Sequence, residues 1–555
     1  MRSADAPLHG SRTAADAAFR HGLVLHRAGR LADAASTYRQ ALQFEPDHFD
    51  ALYLLGAIES ERGEDEAAAT LFGRAARRRP AHADAHNCEG VALRKLRRPA
   101  DALCCFERAL ALRPDHPEYH NNRGNALADL EREDEAVVAY DRAIRLRRDY
   151  AKAHFNRGNA LRNLGRPREA IESYRTVLSI APGDSDAHAN LADTLCEMGR
   201  QPAALEHFEA AATEDPADLV SRHPAHFDSD PVRARLRLGL RLLQAGDFAR
   251  GWQLFEWRHR LDGNADAQAL RLGSRPWRGA EPLGGKRIVL FNEQGLGDTI
   301  QFCRHASLVA ERGATVLLQV QSPLAGLLRS VPGVRATLTP ADPPPAHDLH
   351  CPLMSVPGAL GIELQTIPAF TPYLSAPTSV IAEWAAKLGP RRRPRIGLAW
   401  SGNSAHKGDV LRSIAFAEFC RRLPAGFEYV SLQKDVRDTD RPLLERLGVR
   451  DFAGELRDFS DSAALCANLD LVITVDTSIA HLAGALDLPV WILLQHDPDY
   501  RWLLHRSDSP WYPSATLYRQ GVDGDWAPVL ARVAADLVRT FQGRIPVPQS
   551  CFEAF

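Results

Sequence analysis

PEYHNNRGNALADLEREDEAVVAYDRAIRLRRDY, residues 117–150, runs straight into AKAHFNRGNALRNLGRPREAIESYRTVLSIAPGD, residues 151–184. The shared 34-residue register extends in both directions. Stepping from Gly22 gives Gly56, Gly90, Gly124 and Gly158, then Ala192. Ala34 leads to Ala68, Ala102, Ala136, Ala170 and Ala204, and Tyr38 to Phe72, Phe106, Tyr140, Tyr174 and Phe208. Ala41 and Pro46 start two further columns, broken in kind only at Val177 and Arg148. Five columns in phase define six tandem helical hairpins over residues 15–217, after an N-terminal segment, 1–14, expected to be flexible. Small residues let the two helices of a hairpin approach closely. The aromatic and the alanine three residues on share a face, predicted to pack against the next hairpin. Proline ends the second helix by restricting the residue before it and removing a donor. A lone hairpin cannot bury its apolar face, so the array is predicted to stack as an α-solenoid with a concave groove. Such a groove exists to grip another molecule.

The columns resemble those of the tetratricopeptide repeat, which implies a protein partner. A degraded seventh unit and linker are expected over 218–284, where Gly239, Gly251 and Phe255 keep part of the pattern after the breaker-rich SRHPAHFDSDP. Within repeats four to six, Asn122, Asn156 and Asn190 recur at one place on the first helix, and Asn125, Asn159 and Asp193 follow three residues on. Asparagine has poor propensity in mid-helix. An amide offers both donor and acceptor, so the ladder suits the backbone of an extended peptide. The alternative is that these amides bridge neighbouring repeats or cap turns. The ladder resembles that of O-linked N-acetylglucosamine transferase, which implies a groove for a protein acceptor.

Composition narrows the class. The 555 residues are 45% hydrophobic and 25% charged, with a net charge of −2. Nothing there provides a field for nucleic acid or for an anionic membrane. The first nineteen residues hold no apolar stretch of signal-peptide type, so a cytoplasmic location is expected. Apolar runs such as VWILL and RIVLF are strand-sized, far short of the roughly 18–20 residues of a membrane span. Nine cysteines are scattered without CxxC spacing, which reads as reduced thiols rather than disulfides or zinc ligands; one of Cys104 and Cys105 is expected to pack.

From Gly285 the period changes. KRIVLFNE, ATVLLQV and DLHCPL read as strands, with TIQFCRHASLVAER and SPLAGLLRSVPG as helices between them. After the helix TSVIAEWAAKLG, strands PRIGLAWSG, FEYVSLQ, LDLVITVD and PVWILL alternate with helices such as TSIAHLAGAL. Alternation of this kind implies parallel sheets in two Rossmann-like lobes facing a cleft, 285–375 and 376–545, the second closed by a helix. The chemistry-bearing residues fall at strand ends. Gly295-Leu-Gly297-Asp298 lets a ligand approach the backbone at a helix start. Asp298 reads either as a base for an acceptor hydroxyl or as a helix cap. Ser401-Gly402-Asn403, with Lys407 and Arg412, offers hydroxyl, amide and cations to a diphosphate, or is a solvated loop. Gln433 ends the next strand and is taken as a further donor contact. Asp476-Thr477-Ser478 opens a helix carrying His481; it suits phosphate and sugar hydroxyls, or is an ordinary cap with an interior histidine.

Residues 285–520 together resemble the glycosyltransferases related to bacterial heptosyltransferases, family 9, with the GT-B fold. The GLGD turn is similar to the family's Gly-Asp element, which implies Asp298 as general base. SGN…HK…RS resembles its donor-phosphate loop, implying Lys407 with Arg412 and Ser413 nearby. VDTSIAHLAGAL resembles the donor-binding VDTGxxHLxxAL element, implying Asp476, Thr477 and His481, although Ser478 replaces the usual glycine. The trailing DYRWLLHRSDSPWYP is typical of repeat-linked members. The resemblance implies a metal-independent transfer from a nucleotide sugar and no cofactor; Asp497-Pro-Asp499 is a DxD in spelling only. Three readings stand: a protein glycosyltransferase acting on Ser or Thr, with flagellin one candidate acceptor; a scaffold whose transferase half has lost catalysis; and a transferase acting on a glycan or lipid.

Overall fold

The computed structural model describes residues 6–212, 231–261, 271–402 and 409–544. The chain divides into two compact units, Met1–Leu195 and Cys196–Phe555.

The first unit is built from paired antiparallel helices. They are α1 (Ala6–Arg27), α2 (Leu31–Phe44), α3 (Phe49–Glu61), α4 (Asp65–Arg78), α5 (Ala83–Lys95), α6 (Pro99–Leu112), α7 (Pro117–Asp129), α8 (Glu133–Leu146), α9 (Ala151–Asn163) and α10 (Pro167–Ile180). α11 (Ser185–Glu197) crosses the division, and α12 (Gln201–Ala212) lies in the second unit. α1 begins well inside the segment 1–14 that was expected to be flexible.

The glycine column closes each hairpin on itself. A Cβ at Gly22 would lie 2.6 Å from Tyr38, at Gly56 3.0 Å from Phe72, and at Gly90 2.7 Å from Phe106. Gly124 and Gly158 repeat this with Tyr140 and Tyr174, at 2.5 and 2.6 Å. The aromatic ring therefore fills the notch left by the glycine of its own hairpin, sixteen residues back. The expectation that it packs against the next hairpin is thus incomplete: Tyr38 shares a buried cluster with Ala51 and Leu55 of that hairpin, but the tightest contact is within its own. Proline proves dispensable as a stop: Arg147 N–H donates to the Ala143 carbonyl at 2.9 Å, as Arg113 does to Ala109 beside Pro114. α8 ends at the same point as its neighbours although Arg148 stands in the proline column. Cys105 is buried and Cys104 exposed.

In the second unit a seventh hairpin, α13 (Pro231–Ala245) and α14 (Phe248–Phe255), precedes two sheets. A Cβ at Gly239 would meet Leu254 Cβ and Phe255 N, both at 2.9 Å, so the close approach survives in this degraded copy. The SRHPAHFDSD run before it lies outside the described residues. Strands β1 (Arg275–Pro276), β2 (Arg287–Phe291), β3 (Thr315–Gln319), β4 (Val334–Leu338) and β5 (Leu349–Pro352) form a parallel sheet in the order β1-β5-β2-β3-β4. Strands β6 (Arg395–Ala399), β7 (Glu428–Ser431), β8 (Leu471–Val475), β9 (Val490–Leu494) and β10 (Ala515–Arg519) form a second in the order β10-β9-β8-β6-β7. β6, β8 and β9 are buried along their whole length, as parallel strands covered on both faces must be. One continuous core takes in Phe248, Trp252 and Phe255 of the seventh hairpin, Ile288 and Leu290 of β2, and Leu482, Trp511 and Tyr512 beyond the second sheet.

Three strands, β1, β4 and β10, join those expected from the sequence. TIQFCRHASLVAER is two helices, Leu296–Phe302 and His305–Glu311. SPLAGLLRSVPG forms only short 3-10 turns, broken by its prolines and glycine. Among the described residues no helix is long and apolar enough to cross a membrane.

Candidate active site

Five strand ends supply the site. β2 leads into Gly295–Asp298, β6 into Ser401–Gly402, β7 into Gln433, β8 into Asp476–Ser478 and β9 into Asp497–Arg501. Carboxyl ends of parallel strands are where such sheets receive ligands. The helix Leu296–Phe302 after β2 packs against the helix Ser478–Ala485 after β8. A Cβ at Gly297 would sit 2.9 Å from the His481 ring and 3.5 Å from Ser478 Cα. Glycine is required there because the two turns, some 180 residues apart in sequence, nearly touch.

Asp298 fills the capping position that was one of its two readings. Its Oδ2 accepts from Gly295 N–H at 2.8 Å, a capping bond at its own helix start. Its Oδ1 is ion-paired with Arg501, a residue 7% exposed. The same guanidinium reaches Asp499 Oδ1 at 2.7 Å and lies over the Tyr500 ring.

Asp476 is the perturbed acid of the group. Burial, reinforced by the negative charge of Asp499, pushes its carboxyl up to about 6, against the pull of Trp502, Arg501 and Arg412. Thr477 caps the next helix: Ile479 N–H donates to its Oγ1 at 3.3 Å. His481 Nδ1 lies 3.0 Å from the Tyr512 hydroxyl and its ring stacks on Trp502, with 5.2 Å between centroids. Burial, with Arg501 and Arg304 close by, holds its pKa well below the ordinary histidine value, so the ring is neutral.

The loop after β6 is held by neighbours. Gln433 accepts from Trp400 and Ser401 N–H at 3.1 and 3.2 Å and donates to Ser401 Oγ at 3.1 Å. A Cβ at Gly402 would fall 2.5 Å from Asp409 Oδ1 and 2.6 Å from Arg412 Nη2. Arg412 donates to the Asp476 carbonyl at 3.2 Å and faces buried Asp409, which Arg437 also pairs at 2.8 Å. Asn403 and Lys407, the other residues assigned to the donor phosphate, lie outside the described residues.

Sequence reasoning assigned no role to Arg501, Asp499, Glu293 or Arg258. Arg258, in the 3-10 turn that follows the seventh hairpin, forms a buried bidentate pair with Glu293, which follows β2, and donates to Ser355 Oγ at 2.7 Å. The DxD spelling also resolves: Asp497 accepts from Arg241 and Gln244 of α13, and Asp499 from Arg501. The available signal was the run DPDYRWLL itself, where acids alternate with a cation among aromatics.

In the repeats the asparagines bond one another. Asn122 donates to Asn87 at 2.9 Å, Asn156 to Asn121 and Asn125 at 3.0 and 2.9 Å, and Asn190 to Asn159 at 3.0 Å. Tyr140 and Tyr174 hydroxyls donate to Asn125 and Asn159 at 2.9 and 2.7 Å. The bridging alternative is thus realised. It consumes both donors of Asn156 and leaves that residue's amide oxygen, among the described residues, without a donor from the protein.

Residues 25–88 and 151–184 match family models of the tetratricopeptide repeat, and residues 124–165 a model of the TPR repeat. The helical hairpins of the first half are tetratricopeptide repeats. The chain is 29% identical over 326 residues to protein FlbA of Caulobacter vibrioides, a match covering 53% of this chain and 53% of that protein. The match thus spans about half the length of that curated relative. Solved structures similar to the chain include YrrB, described as a TPR protein with an unusual peptide-binding site (23% identical, 35% of this chain and 95% of that chain, TM-score 0.28). A thermophilic TPR protein of Thermus thermophilus is 24% identical over 33% of this chain and 100% of its own, with a TM-score of 0.28.

Proposed function

We propose that this protein is a GT-B glycosyltransferase that moves a sugar from a nucleotide-sugar donor to a Ser or Thr hydroxyl of a protein bound by the repeats. The reading rests on one observation: the Gly295–Asp298 turn and the Asp476–His481 segment, each following a central parallel strand, are packed against one another. Asp298 deprotonates the acceptor hydroxyl while the anomeric bond to the diphosphate breaks. Arg412 and the amino end of the Ser478 helix favour the leaving anion, and Asp476 receives donor hydroxyls. No metal takes part in this reading. The repeats supply an acceptor protein of the flagellin kind, its backbone N–H groups meeting the remaining amide oxygen of Asn156.

Intact-mass measurement of a co-expressed acceptor tests this. Wild type adds a sugar mass and Asp298→Ala does not; equal modification by the variant would remove Asp298 as base. Asn122/Asn156/Asn190→Ala removes inter-repeat bonds as well, so acceptor use and helix melting are read together. Lost acceptor use at unchanged melting supports the groove, and loss of both makes the ladder structural only. The scaffold reading is favoured by one fact, that both oxygens of Asp298 are engaged within the protein. It predicts no added mass in either protein.

A further inference from the structure

Asp298 is a weakened base in this arrangement, because Gly295 N–H donates to one of its oxygens and the Arg501 guanidinium is paired with the other, and both contacts favour the carboxylate over its protonated form. Arg501 is itself under-used. It is 7% exposed, and its Nε, buried from solvent, has no hydrogen-bond partner among the described residues. Such a donor is costly to leave unmatched. Three carboxylates surround it, Asp298, Asp499 and Asp476. The rings of Tyr500 and Phe302 lie beneath it, with Cζ 4.6 and 5.6 Å from their centroids. It sits beside the Ser478 helix: its chain neighbour Trp502 stacks on His481, and its partner Asp298 adjoins Gly297, which touches that helix. A helix start and a partly unmatched buried guanidinium together suit an anion.

We propose that Arg501 exchanges partners during transfer, releasing Asp298 to take the donor's diphosphate, so that donor binding itself uncovers the base. The proposal rests on the glycosyltransferase reading above and adds a residue and a sequence of events to it. When a diphosphate enters, its oxygens compete with Asp298 for the guanidinium. The freed carboxylate then accepts the acceptor's hydroxyl proton, and the new C–O bond forms at the anomeric carbon. The bond from that carbon to the diphosphate oxygen breaks, its electron pair leaves with the nucleoside diphosphate, and Arg501 takes up the charge. A protein lacking donor keeps its base covered, which protects against abstraction from the wrong hydroxyl.

Competition has a signature that a structural clamp lacks. Titration calorimetry of the full chain with uridine, guanosine, thymidine, cytidine and adenosine diphosphates identifies the one bound. Asp298→Asn keeps an acceptor for Gly295 N–H but no charge for Arg501. It should tighten that diphosphate by about 5-fold or more, the lower end of the coupling usual between two competing partners. Arg501→Gln should weaken it by about 10-fold or more, and Arg501→Lys by less, because lysine keeps the charge without the fork. The double variant Asp298→Asn/Arg501→Gln should match Arg501→Gln alone. Unchanged affinity in Asp298→Asn, with wild type binding normally, overturns the exchange and leaves the donor reading standing. No binding of any diphosphate by wild type overturns both. If Arg501→Gln fails to fold, the Asp298→Asn arm decides alone.

Discussion

Gly124 and Gly297 both exist because a neighbour comes too close for a side chain, yet they belong to different kinds of architecture. The contact of Gly124 with the Tyr140 ring is made five times over, once in each hairpin from Gly22 to Gly158. The contact of Gly297 with His481 is made once, and it joins segments far apart in the chain. In the repeat unit this close approach is local and backed by copies, so no one glycine decides the fold. In the sheet unit single pairs such as Arg258–Glu293 and Arg501–Asp298 tie distant strand ends together, and each stands alone. Redundancy suits a surface that must accommodate a long partner; single-copy contacts suit a site where one geometry must hold.

The contrast is easy to probe because all nine tryptophans, from Trp252 to Trp526, fall in the second unit. Tryptophan fluorescence therefore reports the sheets, and helical circular dichroism reports mainly the repeats. The largest expected effect is at Arg258→Met. Arg258 and Glu293 side chains are 5% and 4% exposed, so removing the cation strands a buried carboxylate and costs about 3–5 kcal/mol. The fluorescence midpoint in denaturant should fall, and Glu293→Leu added to it should restore much of the loss. Gly124→Ala should cost about 1–3 kcal/mol by forcing the Tyr140 ring aside. Its loss should appear in the dichroism transition while the fluorescence transition stays put. Equal shifts in both would mean that the two units unfold together.

The same contrast explains what could be read in advance. Repeats announce themselves because each structural demand is written six times, and a phase of 34 survives single departures such as Arg148. The direction in which each ring packs was not legible, since a spacing of sixteen does not say whether the partner lies in the same hairpin or the next. Central strands were legible as unbroken apolar runs. β4 and β10 were not: both are sheet edges, β4 is half-exposed along its length, and VRATL and ATLYR carry polar residues an edge tolerates. Asp298 and Asp476 could be named from their places after strands. Arg501 could not, because its meaning lies in a carboxylate 203 residues away.

Charge sharpens the comparison at smaller scale. Many carboxylates of the repeats sit in exposed pairs such as Arg132–Glu135, which contribute little. Asp476 is different, with its carboxyl raised from 3.8 to about 6. Below the lower value it is protonated folded or unfolded and costs nothing. Between the two the unfolded chain ionises first, so stability falls as pH rises, and above about 6 the loss is complete. Asp476→Asn should therefore raise the fluorescence midpoint at pH 8 by the equivalent of about 1–2 kcal/mol and leave it unmoved at pH 4. An equal gain at both would assign the effect to something other than ionisation.

The smallest effect tests redundancy itself. The hairpin turns place Gly29, Gly63, Gly165 and Gly199 at φ between 69° and 78°, where glycine is at ease. Arg97 and Glu131 occupy the same turn position at φ 58° and 59°. A side chain there meets the following carbonyl, costing about 1–2 kcal/mol. Glycine removes that strain but gives the unfolded chain more freedom, which takes back about 0.4–1 kcal/mol. Glu131→Gly should therefore stabilise the repeats by about 0.5–1 kcal/mol, seen as a higher dichroism midpoint and an unchanged fluorescence one. Arg97→Gly should do the same, since the form of the turn that carries a side chain occurs twice, at Arg97 and Glu131. A loss at either position would mean that its side chain holds something the turn geometry does not reveal, and that column would no longer be a repeat in the energetic sense.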